Sequence, residues 1–186
     1  MRLFVALEIP SAVRENLVAL LRSLGAVSPQ TRWVRPDNLH VTVKFIGEVP
    51  ETKVVAIRIA LTGVRSDQPV ALDFRGLGFF PNEKHPRVLW AGIEASPNLK
   101  TLAANIDEGT EKLGILRELR PFSPHLTLAR FESHRLPEKL RSAIQENAAR
   151  DFGSLRTSQF HLIESKLKPS GAEYTTLESF PFAAEA

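Results

Sequence analysis

Two short stretches of this chain repeat one pattern. Pro36-Asp37-Asn38-Leu39-His40-Val41-Thr42-Val43 and Pro121-Phe122-Ser123-Pro124-His125-Leu126-Thr127-Leu128 each place a proline four residues before a histidine. An apolar residue, a threonine and a second apolar residue follow in both. The histidines lie 85 residues apart in a chain of 186. That spacing is too long for a stacked repeat and close to half the chain, which points to two lobes built by duplication. The halves share little else.

Side chains two apart on a strand point to the same face. His40 and Thr42 therefore share one face, with Val41 and Val43 behind them. His125 and Thr127 repeat the arrangement over Leu126 and Leu128. If the halves are related by a pseudo-twofold axis, the two His/Thr pairs converge across one cleft.

Such a convergence suits phosphodiester hydrolysis. One neutral imidazole can take a proton from attacking water while the other, protonated, donates to the leaving oxygen on the far side of phosphorus. Threonine hydroxyls can donate to the non-bridging oxygens as charge builds on them. No metal is required, and neither motif carries an acidic ligand at metal-binding spacing. Asp37, the nearest carboxylate, is expected to serve its turn.

Around the motifs, strand-like and helical segments alternate. Strands are expected at 2–8, 31–34, 39–46, 70–77, 87–93, 125–130, 160–167 and 174–180. Helices are expected from a Ser11 cap to Gly25, over 52–64, from a Ser96 cap to Gly114, and over 137–150. This is an α+β pattern with mostly antiparallel sheets.

Composition narrows the function further. Zero cysteines exclude disulfides, thiol catalysis and iron–sulfur clusters. No apolar run approaches the roughly 18 residues of a membrane span, and the start of the chain reads as a strand rather than a signal peptide. A cytoplasmic protein without membrane contact is the expectation. The net charge of +3 contains no run of clustered lysines and arginines. An RNA end or a small anionic substrate therefore fits better than a long nucleic-acid track, and salt dependence should be shallow.

Other candidates have plainer readings. Arg130 could clamp a phosphate, but strict alternation turns it away from His125 unless a bulge intervenes. Phe45 holds the equivalent place in the first motif, where a core aromatic is favoured over one that stacks on a base. His85 reads as a solvated loop residue, and His134 and His161 as structural.

The motifs His40-Val41-Thr42-Val43 and His125-Leu126-Thr127-Leu128 resemble the paired HxTx motifs of the 2H phosphoesterase superfamily. The stretches at 2–8, 33–40, 44–47, 80–81, 87–92, 124–130 and 164–167 narrow the resemblance to the RNA 2′,3′-cyclic phosphodiesterases, also called 2′-5′ RNA ligase-like proteins. The resemblance implies one domain over 1–186, made of two intertwined, pseudo-symmetric antiparallel-sheet lobes with outer helices and a central groove. It implies hydrolysis of a terminal 2′,3′-cyclic phosphate to a 2′-phosphate, with reversible 2′-5′ joining as a side activity. It implies His40 as the acid and His125 as the base, roles that chemistry alone leaves open. Thr42, Thr127 and Arg130 would bind the phosphate, with no cofactor. Partners would be RNA ends or nucleoside 2′,3′-cyclic phosphates, met by a monomer. Two alternatives stand beside this reading: a phosphodiesterase for another small cyclic phosphate or a 2′-5′ oligonucleotide, and a non-catalytic RNA-binding module.

Overall fold

From the first strand, Leu3, Val5 and Leu7 enter the main core, while Phe4 and Ala6 join Ile163 and Tyr174 in a small cluster on the opposite face. This strand is thus covered by apolar residues on both sides, which is why it reads as a near-continuous hydrophobic run. It lies inside a four-stranded sheet of order β3 (His40–Glu48), β1 (Arg2–Glu8), β8 (Gln159–Lys168) and β9 (Gly171–Pro181). A second, five-stranded sheet has the order β2 (Arg32–Trp33), β6 (His125–Arg130), β5 (Val88–Ala95), β4 (Val70–Phe80) and β7 (Asp151–Thr157). Every pairing in both sheets is antiparallel. The fold is α+β, with one motif strand in each sheet. The computed structural model describes residues 1–183.

Helices α1 (Ser11–Val27), α2 (Glu51–Thr62), α3 (Asn98–Glu111) and α4 (Glu138–Glu146) complete the described chain. α1 follows a strand of the first sheet yet packs on β7 of the second and on α4. α3 follows β5 of the second sheet yet packs on α2 and reaches β3 of the first. The two halves of the chain are interwoven rather than side by side.

Most expected elements are present, with three differences. β7 is additional to the expected strands; its sequence, Asp151-Phe152-Gly153-Ser154-Leu155-Arg156-Thr157, carries a glycine at positive φ and little apolar content. Ser11 does not cap α1, which starts after Pro10 without a side-chain cap and runs through Gly25 to Val27. Nor does Ser96 cap α3: its Oγ accepts from the Ala71 amide (2.9 Å) and bonds Asn98. It ties the helix to β4 instead.

Candidate active site

Both motif strands break the strict alternation of a strand at the same place. Along His40-Val41-Thr42-Val43-Lys44-Phe45, burial runs half-buried, buried, half-buried, buried, buried, exposed. Along His125-Leu126-Thr127-Leu128-Ala129-Arg130 it runs identically. In each strand one extra residue is inserted: Val5 and Ala6 of β1 face Lys44 and Thr42, and Leu89 and Trp90 of β5 face Ala129 and Thr127. The bulged residues are Val43 and Leu128. A bulge shifts the parity of everything after it, so Phe45 and Arg130 turn onto the faces of their own histidines. The condition for placing Arg130 with His125 and Thr127 is thus met.

The two motif strands also meet. β3 forms the edge of its sheet and packs against β6. β2 pairs beside β6, the Val34 amide bonds the Leu128 carbonyl (2.8 Å), and a 3-10 turn at Pro36–Asn38 leads straight into His40. Arg14 of α1 donates to the Pro36 carbonyl and Asn38 to the Ala172 carbonyl (2.9 Å), which pins this turn.

His40 is walled by aromatics. Its ring stacks on Phe4 (centroids 5.0 Å, 17°) and meets Tyr174 edge-on at 4.9 Å. Burial, and then the charge of Arg14, lower its pKa from 6.5 to about 4, with a backbone hydrogen bond at Leu39 acting the other way. The imidazole is neutral at neutral pH when the site is empty.

His125 is held differently. Its Nδ1 lies 2.8 Å from the Ser123 carbonyl oxygen, which can only accept, so Nδ1 carries the proton. In the neutral ring Nε2 then bears the lone pair, the state a general base requires. Phe80 meets the ring edge-on at 4.8 Å and Gly92 lies opposite it in β5. Trp90, opposite Thr127, lies across Gly78, where a Cβ would come within 2.2 Å of the indole. Only glycine allows that approach.

One sequence expectation, a core place for Phe45, does not hold. Phe45 is 62% exposed, not a core aromatic, and lines a cleft with Arg2, Phe4, Gly47, Ser165 and Tyr174. The bulge at Val43 turns it outward. His161 is buried on the same face of its sheet as Thr42, with Ser179 Oγ at 2.9 Å from Nδ1 and Glu8 at 4.0 Å from Nε2. His85 and His134 are both exposed and meet edge-on at 5.7 Å between two loops. Phe4, Glu8 and Tyr174 are neighbours of His40 that motif reading does not single out. For Phe4 and Glu8 the 2-residue alternation of β1, which separates Phe4-x-Ala6-x-Glu8 from Leu3-x-Val5-x-Leu7, is the available signal; Tyr174, on β9, has none in β1. Among the described residues, no three His, Asp or Glu side chains gather as metal ligands would, and no helix is long and apolar enough to cross a membrane.

A family model described as "LigT like Phosphoesterase" matches residues 7–90 and 93–174, one stretch for each motif. The chain is 36% identical over 180 residues to the RNA 2′,3′-cyclic phosphodiesterase of Archaeoglobus fulgidus, spanning 97% of this chain and 99% of that protein. It is also 36% identical, over 196 aligned positions, to the RNA 2′,3′-cyclic phosphodiesterase of Thermus thermophilus, spanning 100% and 92%. Among solved structures, TT0787 of Thermus thermophilus matches with a TM-score of 0.78 at 34% identity over 100% of both chains. E. coli LigT complexed with 3′-AMP matches with a TM-score of 0.77 at 28% identity over 98% of both.

Proposed function

Because the chain belongs to the LigT-like phosphoesterase family, we propose that it is an RNA 2′,3′-cyclic phosphodiesterase working through His40 and His125. The observation that carries the residue assignment is the repeated bulge. It gives two strands, packed together, the same placement on one face of the histidine, the threonine and the residue five after the histidine, Phe45 or Arg130.

The chemistry follows from that arrangement. Water attacks phosphorus and gives its proton to Nε2 of His125, whose other nitrogen is tied to the Ser123 carbonyl. The bond from phosphorus to O3′ breaks, and His40 protonates O3′, leaving a 2′-phosphate. Thr42 and Thr127 donate to the non-bridging oxygens, and Arg130 balances their charge. His40 must be charged to act as the acid. Its low pKa in the empty site is met by the substrate itself, because a phosphate anion beside the imidazole favours the protonated form. Both proton transfers are made by imidazoles, so the mechanism needs no metal and no cofactor. A 5′-hydroxyl in place of water would make a 2′-5′ phosphodiester by the same displacement, which is how ligation would arise.

The test is hydrolysis of adenosine 2′,3′-cyclic phosphate in EDTA, with the product typed by NMR. The 2′-phosphate is expected. A 3′-phosphate would mean that O2′ leaves instead. Loss of activity in EDTA, restored by one divalent ion, would remove the metal-free mechanism.

A further inference from the structure

The site face of the second sheet does not end at Thr127. Arg130 is turned onto it by the bulge, and Arg32 sits directly opposite Arg130 in the β2–β6 pairing. Directly paired residues share a face, so both guanidinium groups lie on the side that carries His125 and Thr127. Like charges placed directly opposite across two strands repel one another. Arg135 lines the same groove, together with Thr31, Ser133 and Glu132. Glu132 approaches Arg32 at 3.6 Å, but both side chains are more than 70% exposed, and such pairs are weak. Among the described residues, no carboxylate pairs with Arg130 or Arg135.

We propose that this arginine groove seats the phosphodiester upstream of the reacting end, so that the enzyme prefers an RNA strand to a lone nucleoside cyclic phosphate. The proposal rests on the reaction assigned above to His40 and His125. Arg130 serves the reacting phosphate, so an anion beside Arg32 and Arg135 offsets the repulsion that Arg32 meets from Arg130, and guanidinium forks match phosphate oxygens two at a time. Three strand residues at about 3.3 Å each put Arg130 up to about 10 Å along the strand from Thr127. Arg32, opposite Arg130, is thus offset along the sheet from Thr127, and Arg135 lines the groove with it. No basic run in the sequence announces this groove, because the fold assembles it from β2, the end of β6 and the loop after it.

The experiment compares adenosine 2′,3′-cyclic phosphate with a five-residue oligoadenylate ending in the same group, for the wild type and for Arg32→Gln/Arg135→Gln. Both side chains are exposed, so the variant keeps the fold. On the oligonucleotide, the variant should lose about tenfold in kcat/KM through KM, and the slope of log KM against log salt should fall by about 1. On the mononucleotide it should match the wild type. An unchanged KM on the oligonucleotide, or an equal loss on both substrates, would overturn the proposal. Fluorescence anisotropy with a labelled pentanucleotide bearing a 3′-phosphate separates this from a failure of the reaction. If the wild type hydrolyses neither substrate but binds the pentanucleotide about tenfold tighter than the variant, the groove stands and the reaction falls. Equal binding by both proteins overturns the groove whatever the activity.

Discussion

Phe45 and Arg130 occupy the same place in two equivalent strands, each five residues after a motif histidine and each turned onto that histidine's face by a one-residue bulge. The two strands share a geometry and differ in chemistry. One half offers an exposed aromatic ring beside Phe4 and Tyr174, and the other an exposed guanidinium. A nucleotide has a base and a phosphate to match. The two ends of the site are therefore expected to divide the work.

Phe45→Ala should raise KM for a nucleoside cyclic phosphate roughly fivefold or more with kcat nearly unchanged, because base stacking on an aromatic contributes about 1–3 kcal/mol. Arg130→Ala should lower kcat as well, since in the proposed mechanism its charge acts on the reacting phosphate. Steady-state kinetics on both variants checks the split. Matching effects in kcat and KM for the two would show that the positions are not divided in this way.

Acid should weaken the fold through His40. Its pKa is about 4 in the folded protein against 6.5 unfolded, so the unfolded chain binds more protons between those values. Stability is complete above about pH 6.5 and is lost as pH falls toward 4, by up to about 3 kcal/mol. The lowered pKa of His161, caused chiefly by burial, acts in the same direction. Thermal melts from pH 7 to 4.5 should show a shallower decline for His40→Asn than for the wild type. Parallel declines would mean that His40 is not buried as described.

The activity profile should carry the same signature. kcat/KM reports the free enzyme and kcat the complex, so the limb assigned to the acid should lie at higher pH in the kcat profile. That displacement measures how far the bound phosphate raises His40. Coincident limbs would indicate that His40 does not receive its proton with the substrate.

Lys44, next to the first bulge, is buried with its ammonium on Asp107 of α3 and on the Leu116 carbonyl (2.7 Å). It ties the first motif strand to the segment that leads into His125. Asp107 is held as well by Arg117 (3.4 Å) and the Glu118 amide (3.2 Å). Lys44→Met should cost about 3 kcal/mol in urea unfolding, because it leaves a partly buried carboxylate short of its partner. Lys44→Met/Asp107→Leu should recover much of that loss. A cost below about 1 kcal/mol for the single variant would show that the pair carries little.

The motif strands and their histidines are legible in the sequence because each motif writes period-2 alternation into four consecutive residues. Period breaks are not. Val43-Lys44 and Leu128-Ala129 read as ordinary strand, and nothing local marks where an extra residue is absorbed; the bulge depends on what β1 and β5 offer opposite. That is why the sequence alone reads Phe45 as core and leaves Arg130 undecided. His161 illustrates a second limit. Its place on the site face comes from the β1–β8 register, which pairs residues 155 positions apart, and no local pattern encodes such a pairing. β7 escapes a sequence reading because its pairing to β4, not its composition, makes it a strand.

The central claim is that one displacement at phosphorus is served by two imidazoles, and its most direct measurement is kcat on adenosine 2′,3′-cyclic phosphate for His40→Ala, His125→Ala and the double variant. Circular dichroism should confirm the fold of each. Each single variant should lose at least about a hundredfold, and the double variant should lose far less than the product of the two. A single variant that keeps near-wild-type turnover, or losses that simply multiply, would contradict the paired acid–base account.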